Sequence, residues 1–277
     1  MNGVVLALAA TTGLLWLGDH CNRRWVGFLP DDPPRPGRKQ HARPIPLAGV
    51  LLAPALMAAL GLDGAAWSGW PWAIAAVALA ATVGFLDDRG KEHGRDLGWR
   101  SKAIGLSLAA GCATLATGAS DGDPLRGLAL LALAFVVINA CNFLDNTDGV
   151  TASLVGVTLF SGGAGWPPVA GAVALAFLPW NWPRPRLFLG DAGAYALGTV
   201  LAVAVLGRLR GGAEALWLAA VPLADFVQVV VARLWLGLPP WVGDRRHLTH
   251  IVQNHGLPRV LVAPVFAALA LAASRLV

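Results

Sequence analysis

The chain has 277 residues, of which 56% are hydrophobic and only 13% charged, with a net charge of +5. A soluble domain carries about a quarter charged residues, so the composition excludes an ordinary soluble protein and points to a polytopic membrane protein. The positive balance does not indicate nucleic acid, because no Lys/Arg run with interleaved aromatics occurs and the basic residues sit in short loops. Anionic lipid and a phosphorylated substrate are the better partners. Cys21, Cys112 and Cys141 offer neither an even framework nor metal spacing.

A membrane-crossing helix needs about 17–25 apolar residues. Ten stretches approach that length: 2–18, 46–62, 70–86, 102–119, 125–142, 149–164, 166–180, 191–207, 213–236 and 257–276. The sixth and seventh are short and interrupted by Gly and Pro. The expected fold is an all-α integral membrane bundle of about ten transmembrane helices, forming one domain over residues 1–277 with no internal repeat. The first stretch lacks a preceding basic region and is followed by Arg23–Arg24, opposite to a cleaved signal, so it reads as a retained span. Trp16, Trp25, Trp67, Trp70, Trp72, Trp166, Trp180 and Trp182 fall near span ends, as interfacial anchors do.

Loops after odd-numbered stretches hold Arg23, Arg24, Arg35, Arg38, Lys39, Arg43, Arg89, Lys91, Arg95, Arg100, Lys102, Arg184, Arg186, Arg245, Arg246 and Arg259. The other side holds only Arg126, Arg208, Arg210 and Arg275. This asymmetry makes the odd loops cytoplasmic and both termini extracytoplasmic. A missing span would break the parity.

The acids gather on that cytoplasmic face: Asp87–Asp88 closing the third stretch, Asp145 and Asp148 after the fifth, Asp191 opening the eighth, and Asp244 with His247 and His250 after the ninth. Carboxylates crowded in a partly dry site either raise one another's pKa or recruit a cation. A few hard oxygen ligands without a Cys/His cage suit Mg²⁺ completed by substrate phosphate. Asn139, Asn142, Asp145 and Asp148 recur every three residues and would follow one helical face, more than an Asx-rich helix end requires. Asp191 can cap the next helix while presenting a carboxylate to metal. His247 and His250 lack a third soft ligand, which argues against zinc. Asp225, inside the ninth stretch, is a candidate by virtue of its depth, or simply a partner for Arg233.

Five segments in order carry a resemblance: Arg38-Lys-Gln-His41-Ala-Arg43-Pro-Ile-Pro46-Leu-Ala-Gly49, Gly84-Phe-Leu-Asp87-Asp88-Arg89 followed by Lys102, Asn142-x-x-Asp145-x-x-Asp148-Gly149, Phe188-Leu-Gly190-Asp191, and Asp244-Arg245-Arg246-His247-Leu-Thr-His250. Together they resemble the polyprenyl-phosphate N-acetylhexosamine-1-phosphate transferases of glycosyltransferase family 4, nearest the bacterial undecaprenyl-phosphate GlcNAc-1-phosphate transferases. The resemblance implies transfer of a sugar-1-phosphate, GlcNAc-1-phosphate first, from a UDP-sugar to undecaprenyl phosphate at the bacterial inner membrane. UMP is released and a cell-envelope glycan begins. It also implies Mg²⁺, with Mn²⁺ as a substitute, held by Asp191 with Asn142 or Asp145. Phe188 would stack on uracil, with Asp148 and Asn181 at the nucleoside. Asp87, Asp88 and Lys102 would face the lipid phosphate, and Arg245, Arg246, His247 and His250 the diphosphate or sugar. Arg43 joins the substrate-binding set, and Asp87, Asp88, Lys102, Asp145 and His247 the catalytic one.

Thr249, Ala194 and Val50 depart from the family pattern, where His, Ser and Gly are usual. The Thr249 and Ala194 departures leave the sugar open. A phospho-MurNAc-pentapeptide transferase of the same family, a transporter of an anionic solute and a non-catalytic binding homologue are the alternatives. A transporter fits less well, since the polar groups lie at span ends and no repeated halves occur. A homodimer is compatible with the sequence.

Overall fold

A computed structural model describes residues 2–24, 27–32, 44–62 and 66–277 of the chain. Helix dominates, in the order α1 (Asn2–Arg24), α2 (Leu52–Gly61), α3 (Trp70–Glu92), α4 (Trp99–Thr117), α5 (Pro124–Leu144), α6 (Val150–Phe160), α7 (Trp166–Ala176), α8 (Leu178–Asn181), α9 (Gly190–Arg208), α10 (Ala220–Trp235), α11 (Leu248–Asn254) and α12 (Arg259–Ser274). Among the described residues, strand structure is limited to Asp31–Asp32 paired antiparallel with Ile45–Pro46, and a parallel bridge from Leu47 to Phe188. This small ribbon was not legible in the hydropathy. It joins the extended entries to α2 and α9 through hydrogen bonds from Phe188 N to Pro46 O (2.9 Å) and from Ala48 N to Phe188 O (2.9 Å).

Each of the ten apolar stretches contains helix, but their lengths differ. By length and apolarity, α1, α3, α5, α9 and the run Ala213–Trp235 are long enough to cross a membrane. The sixth stretch yields only the 11 residues of α6, about 16 Å at 1.5 Å per residue, against a hydrocarbon core of about 30 Å. Large apolar side chains such as Leu6, Ile104, Leu108, Leu128, Val231 and Trp235 face outward, as expected where lipid replaces water as the surrounding solvent. Several tryptophans instead pack inside: Trp67 stacks on Trp166 at 6.0 Å and donates to Ala116 O, and Trp182 donates to Val260 O. Trp16 and Trp72 remain exposed.

α9 is the central post. Every residue from Ala192 to Leu206 is buried, because Ala, Gly and Val make its whole circumference small and apolar. α3, α4, α5 and α6 pack around it, and small residues are what permit such close crossings in lipid. At Gly84 an added Cβ would lie 2.4 Å from Ala192 N, and at Gly49 one would lie 2.5 Å from Gly193 Cα. The first contact draws the polar end of α3, and the second the entry to α2, onto the first turn of α9.

Candidate active site

The crossing of α3 and α9 builds the floor of a cavity of about 1100 Å³ lined by Asp88, Lys91, Lys102, Asn142, Asp145, Asp148, Phe188, Asp191, Arg245, His247, His250 and Arg259, among others. The four acidic groups noted in the sequence therefore contribute to one cavity. Asp88 is almost fully buried, and its two oxygens accept hydrogen bonds from Asp191 N and Ala192 N at 3.1 Å each. It caps α9 from another helix, satisfying amides that a helix start leaves without partners. Gly190 makes this possible: its φ is +66°, and a Cβ there would lie 2.7 Å from Asp88 Oδ2. The expected capping role of Asp191 thus falls to Asp88, and the Asp191 side chain is left for the cavity.

Asp87 is fully buried and does not line the cavity. It accepts from Leu97 N at 2.7 Å and pairs with Lys91 Nζ at 2.6 Å and Lys102 Nζ at 3.2 Å. This geometry positions two ammonium groups; it does not present a base to substrate. Lys91 also reaches Asp191 Oδ2 at 2.9 Å, while Asn142 Nδ2 donates to Asp191 Oδ1 at 3.1 Å. From the sequence alone Lys91 reads only as a loop charge. Its spacing of four residues from Asp87 on one helix was the available signal.

α5 ends at Leu144, so Asp145 and Asp148 lie beyond the helix and do not continue its face as expected. Asn139 is turned back onto its own helix, donating to Phe135 O. Asp145 follows the last turn, where burial and the negative charges of Asp191, Asp148 and Asp88 hold its carboxyl well above the ordinary range. Asp148 pairs with Arg259 at 2.8 Å. Asn181 is buried with both ends of its amide engaged, accepting from Gly149 N at 2.7 Å and donating to Leu187 O at 3.0 Å. It ties the Asp148-Gly149 turn to the segment before Phe188, so it positions this part of the cavity.

The opposite wall comes from α10, α11 and the loop between them. Asp225 and Arg233 do not pair with each other. Asp225 Oδ1 accepts from Leu248 N (2.6 Å) and its Oδ2 lies 2.8 Å from His247 Nδ1, whereas Arg233 bonds Asp244 (3.1 Å) and Pro240 O (2.5 Å). Arg246 also pairs with Asp244 at 2.6 Å, and Arg245 is exposed toward the cavity. Burial raises the Asp244 carboxyl, but the Arg233 and Arg246 hydrogen bonds outweigh it and hold the pKa at about 2. Asp244 is therefore a fixed anion inside an arginine clamp and not a vacant ligand. Burial, with Arg245 and His247 nearby, lowers the His250 imidazole to about 4. Thr249 is buried and hydrogen-bonds Asn146, which joins α11 to the end of α5. Ala194 lies in the core. Arg43, with the rest of 33–43 and Trp25, falls outside the described residues.

Among the described residues, no three His, Cys, Asp or Glu side chains form a ready-made metal cage. The donor chemistry nonetheless fits a hard cation that takes few protein ligands. Asp191 and Asn142 meet by hydrogen bond, and Asp145 is crowded by acids without an ion-pair partner among the described residues. Lys91, wedged between Asp87 and Asp191, shows that this cluster already requires positive charge.

Residues 70–208 match the family model described as glycosyl transferase family 4. The chain is 26% identical over 212 residues to the undecaprenyl-phosphate alpha-N-acetylglucosaminyl 1-phosphate transferase of Yersinia pestis, covering 66% of this chain and 58% of that protein. It is 29% identical over 143 residues to the enzyme of the same name from Escherichia coli, covering 44% and 39%. It is 28% identical over 228 residues to the decaprenyl-phosphate N-acetylglucosaminephosphotransferase of Mycobacterium leprae, covering 66% and 57%. The chain thus spans between 39% and 58% of the length of these relatives.

Proposed function

Since the chain belongs to glycosyl transferase family 4, we propose that it is a multi-pass membrane enzyme that transfers an N-acetylhexosamine-1-phosphate, GlcNAc-1-phosphate first, from a UDP-sugar to undecaprenyl phosphate. The observation that carries this reading is the placement of Asp191. It stands on the first turn of α9, contacted by Lys91 and Asn142, with Asp88 capping the helix behind it. Anions, cations and apolar side chains such as Phe226 and Val230 line one cavity, which is what two phosphorylated substrates and a lipid chain require. In this reading the cavity opens toward the cytoplasm, where a sugar nucleotide is found.

Phosphoryl transfer depends mainly on positioning and charge neutralisation. An oxygen of the lipid phosphate attacks the phosphorus bonded to the sugar, the bond to the bridging oxygen breaks, and UMP leaves. Repulsion between the two anions is the chief obstacle. Lys91, Lys102, Arg245 and Arg259 line the cavity and offset it. Mg²⁺ held by Asp191, Asn142 and Asp145 would further neutralise the diphosphate. A phosphate monoester has a second pKa of about 6, so the attacking oxygen is already ionised and no strong base is needed. That agrees with Asp87 and Asp88, whose oxygens are held by lysines and backbone amides. Phe188 lines the cavity beside Asp148 and Asn181 and offers a ring for uracil to stack on.

The test is reconstitution of the purified chain with undecaprenyl phosphate, Mg²⁺ and a panel of UDP-sugars. The expected products are UMP and a lipid-linked sugar phosphate, with UDP-GlcNAc the best donor. UMP release that does not require the lipid phosphate, or no release with any donor, would contradict the reading.

A further inference from the structure

We propose that Asp225, a carboxylate buried inside α10, is a positioning residue that fixes which ring nitrogen of His247 faces the cavity. The inference deepens the transferase reading and rests on it only for the identity of the ligand the ring meets. Asp225 is fully buried, and an intramembrane acid without a task is costly. Its Oδ1 accepts from Leu248 N at 2.6 Å and its Oδ2 lies 2.8 Å from His247 Nδ1. An ionised carboxylate only accepts hydrogen bonds, so Nδ1 carries the proton and Nε2 is the nitrogen left for the cavity. The ring is further held edge-on to Phe143 at 5.9 Å and to His250 at 6.3 Å.

Tying down the loop does not by itself explain this carboxylate. Arg233, two turns further along α10, already anchors the loop through Asp244 and Pro240 O, and lies over the Phe143 ring at 5.0 Å. What Asp225 adds is an anionic acceptor for Nδ1–H. With Nδ1 engaged by Asp225, Nε2 is the nitrogen positioned to meet a phosphate oxygen of the substrate. In the opposite tautomer, Nδ1 would have no donor role toward Asp225 and the ring would be free to turn.

Nitrogen-15 NMR of the full chain labelled at histidine tests this, with the His247 signals identified by their loss in His247→Gln. Above the imidazole titration range, the wild-type ring is expected to show a protonated Nδ1 and an unprotonated Nε2. In Asp225→Asn, the amide oxygen keeps the Leu248 N–H bond, so the amide NH₂ faces Nδ1 and the ring is expected to invert. A neutral wild-type ring protonated at Nε2 overturns the proposal without any variant, as does an unchanged ring in Asp225→Asn. Turnover by Asp225→Asn is expected to fall on the order of 10²-fold in kcat, with the KM for the sugar nucleotide nearly unchanged. Full kcat in a chain whose ring has inverted would overturn the positioning role. If the tautomer is as expected but no donor is turned over by the wild type, the transferase reading fails and the Asp225–His247 assignment stands.

Discussion

Replacing Gly84 with alanine attacks the geometry of the site without removing any polar group. The new Cβ would lie 2.4 Å from the backbone of Asp191 and Ala192, whereas ordinary contact begins near 3.4 Å. Backbone cannot rotate aside, so α3 and α9 must separate by about 1 Å at their crossing. The two hydrogen bonds from α9 to Asp88, now 3.1 Å, would stretch to about 4 Å, beyond useful range. Overpacking of this kind costs roughly 1–3 kcal/mol, which a folded bundle can survive. A displacement of about 1 Å at a catalytic centre can cost 10²-fold in rate, so activity should suffer more than folding. The assay is sugar-phosphate transfer beside thermal unfolding in detergent, with Gly13→Ala as control because no atom lies within 4 Å of a Cβ there. Wild-type turnover and unfolding temperature in Gly84→Ala would refute the argument that this contact sets the site.

Lys91→Met removes the cation between Asp87 and Asp191; the thermal shift produced by Mg²⁺ should become larger than in wild type, and an equal or smaller shift counts against a shared cation position. Asn181→Ala strands Gly149 N and Leu187 O, each worth about 1–3 kcal/mol as an unsatisfied buried group, so chemical unfolding should show a clear loss of stability. The His250 imidazole is held at about 4, below the usual value of about 6.5. The unfolded chain therefore binds more protons in that window, and stability should fall as pH drops from about 6.5 to 4. His250→Gln should flatten this part of the unfolding profile, and an unchanged slope would assign it elsewhere.

Hydropathy made the apolar helices legible because burial in lipid demands long runs of apolar residues, whatever they pack against. The same rule fails for α6, where Ser161-Gly162-Gly163 follow the helix after 11 residues and overall apolarity conceals the break. Acid positions were legible as a set, and the structure gathers Asp88, Asp145, Asp148 and Asp191 in one cavity. Their individual tasks were not legible, because they depend on contacts between distant segments. Asp88 and Asp191 exchange the capping role across 103 positions, and Asp225 and Arg233, plausible partners by spacing, each hold a different part of the next loop. The role of Lys91 is hidden in the sequence because a lysine at a helix end is equally explained by the charge asymmetry between loops.

Binding of Mn²⁺ to the purified chain, followed by electron paramagnetic resonance with UMP present, is the most direct test of the central claim that acids from separate helices converge on one cation. One ion is expected to bind, and Asp191→Asn should lose it while keeping the wild-type unfolding temperature. Undiminished Mn²⁺ affinity in a folded Asp191→Asn chain would contradict the account.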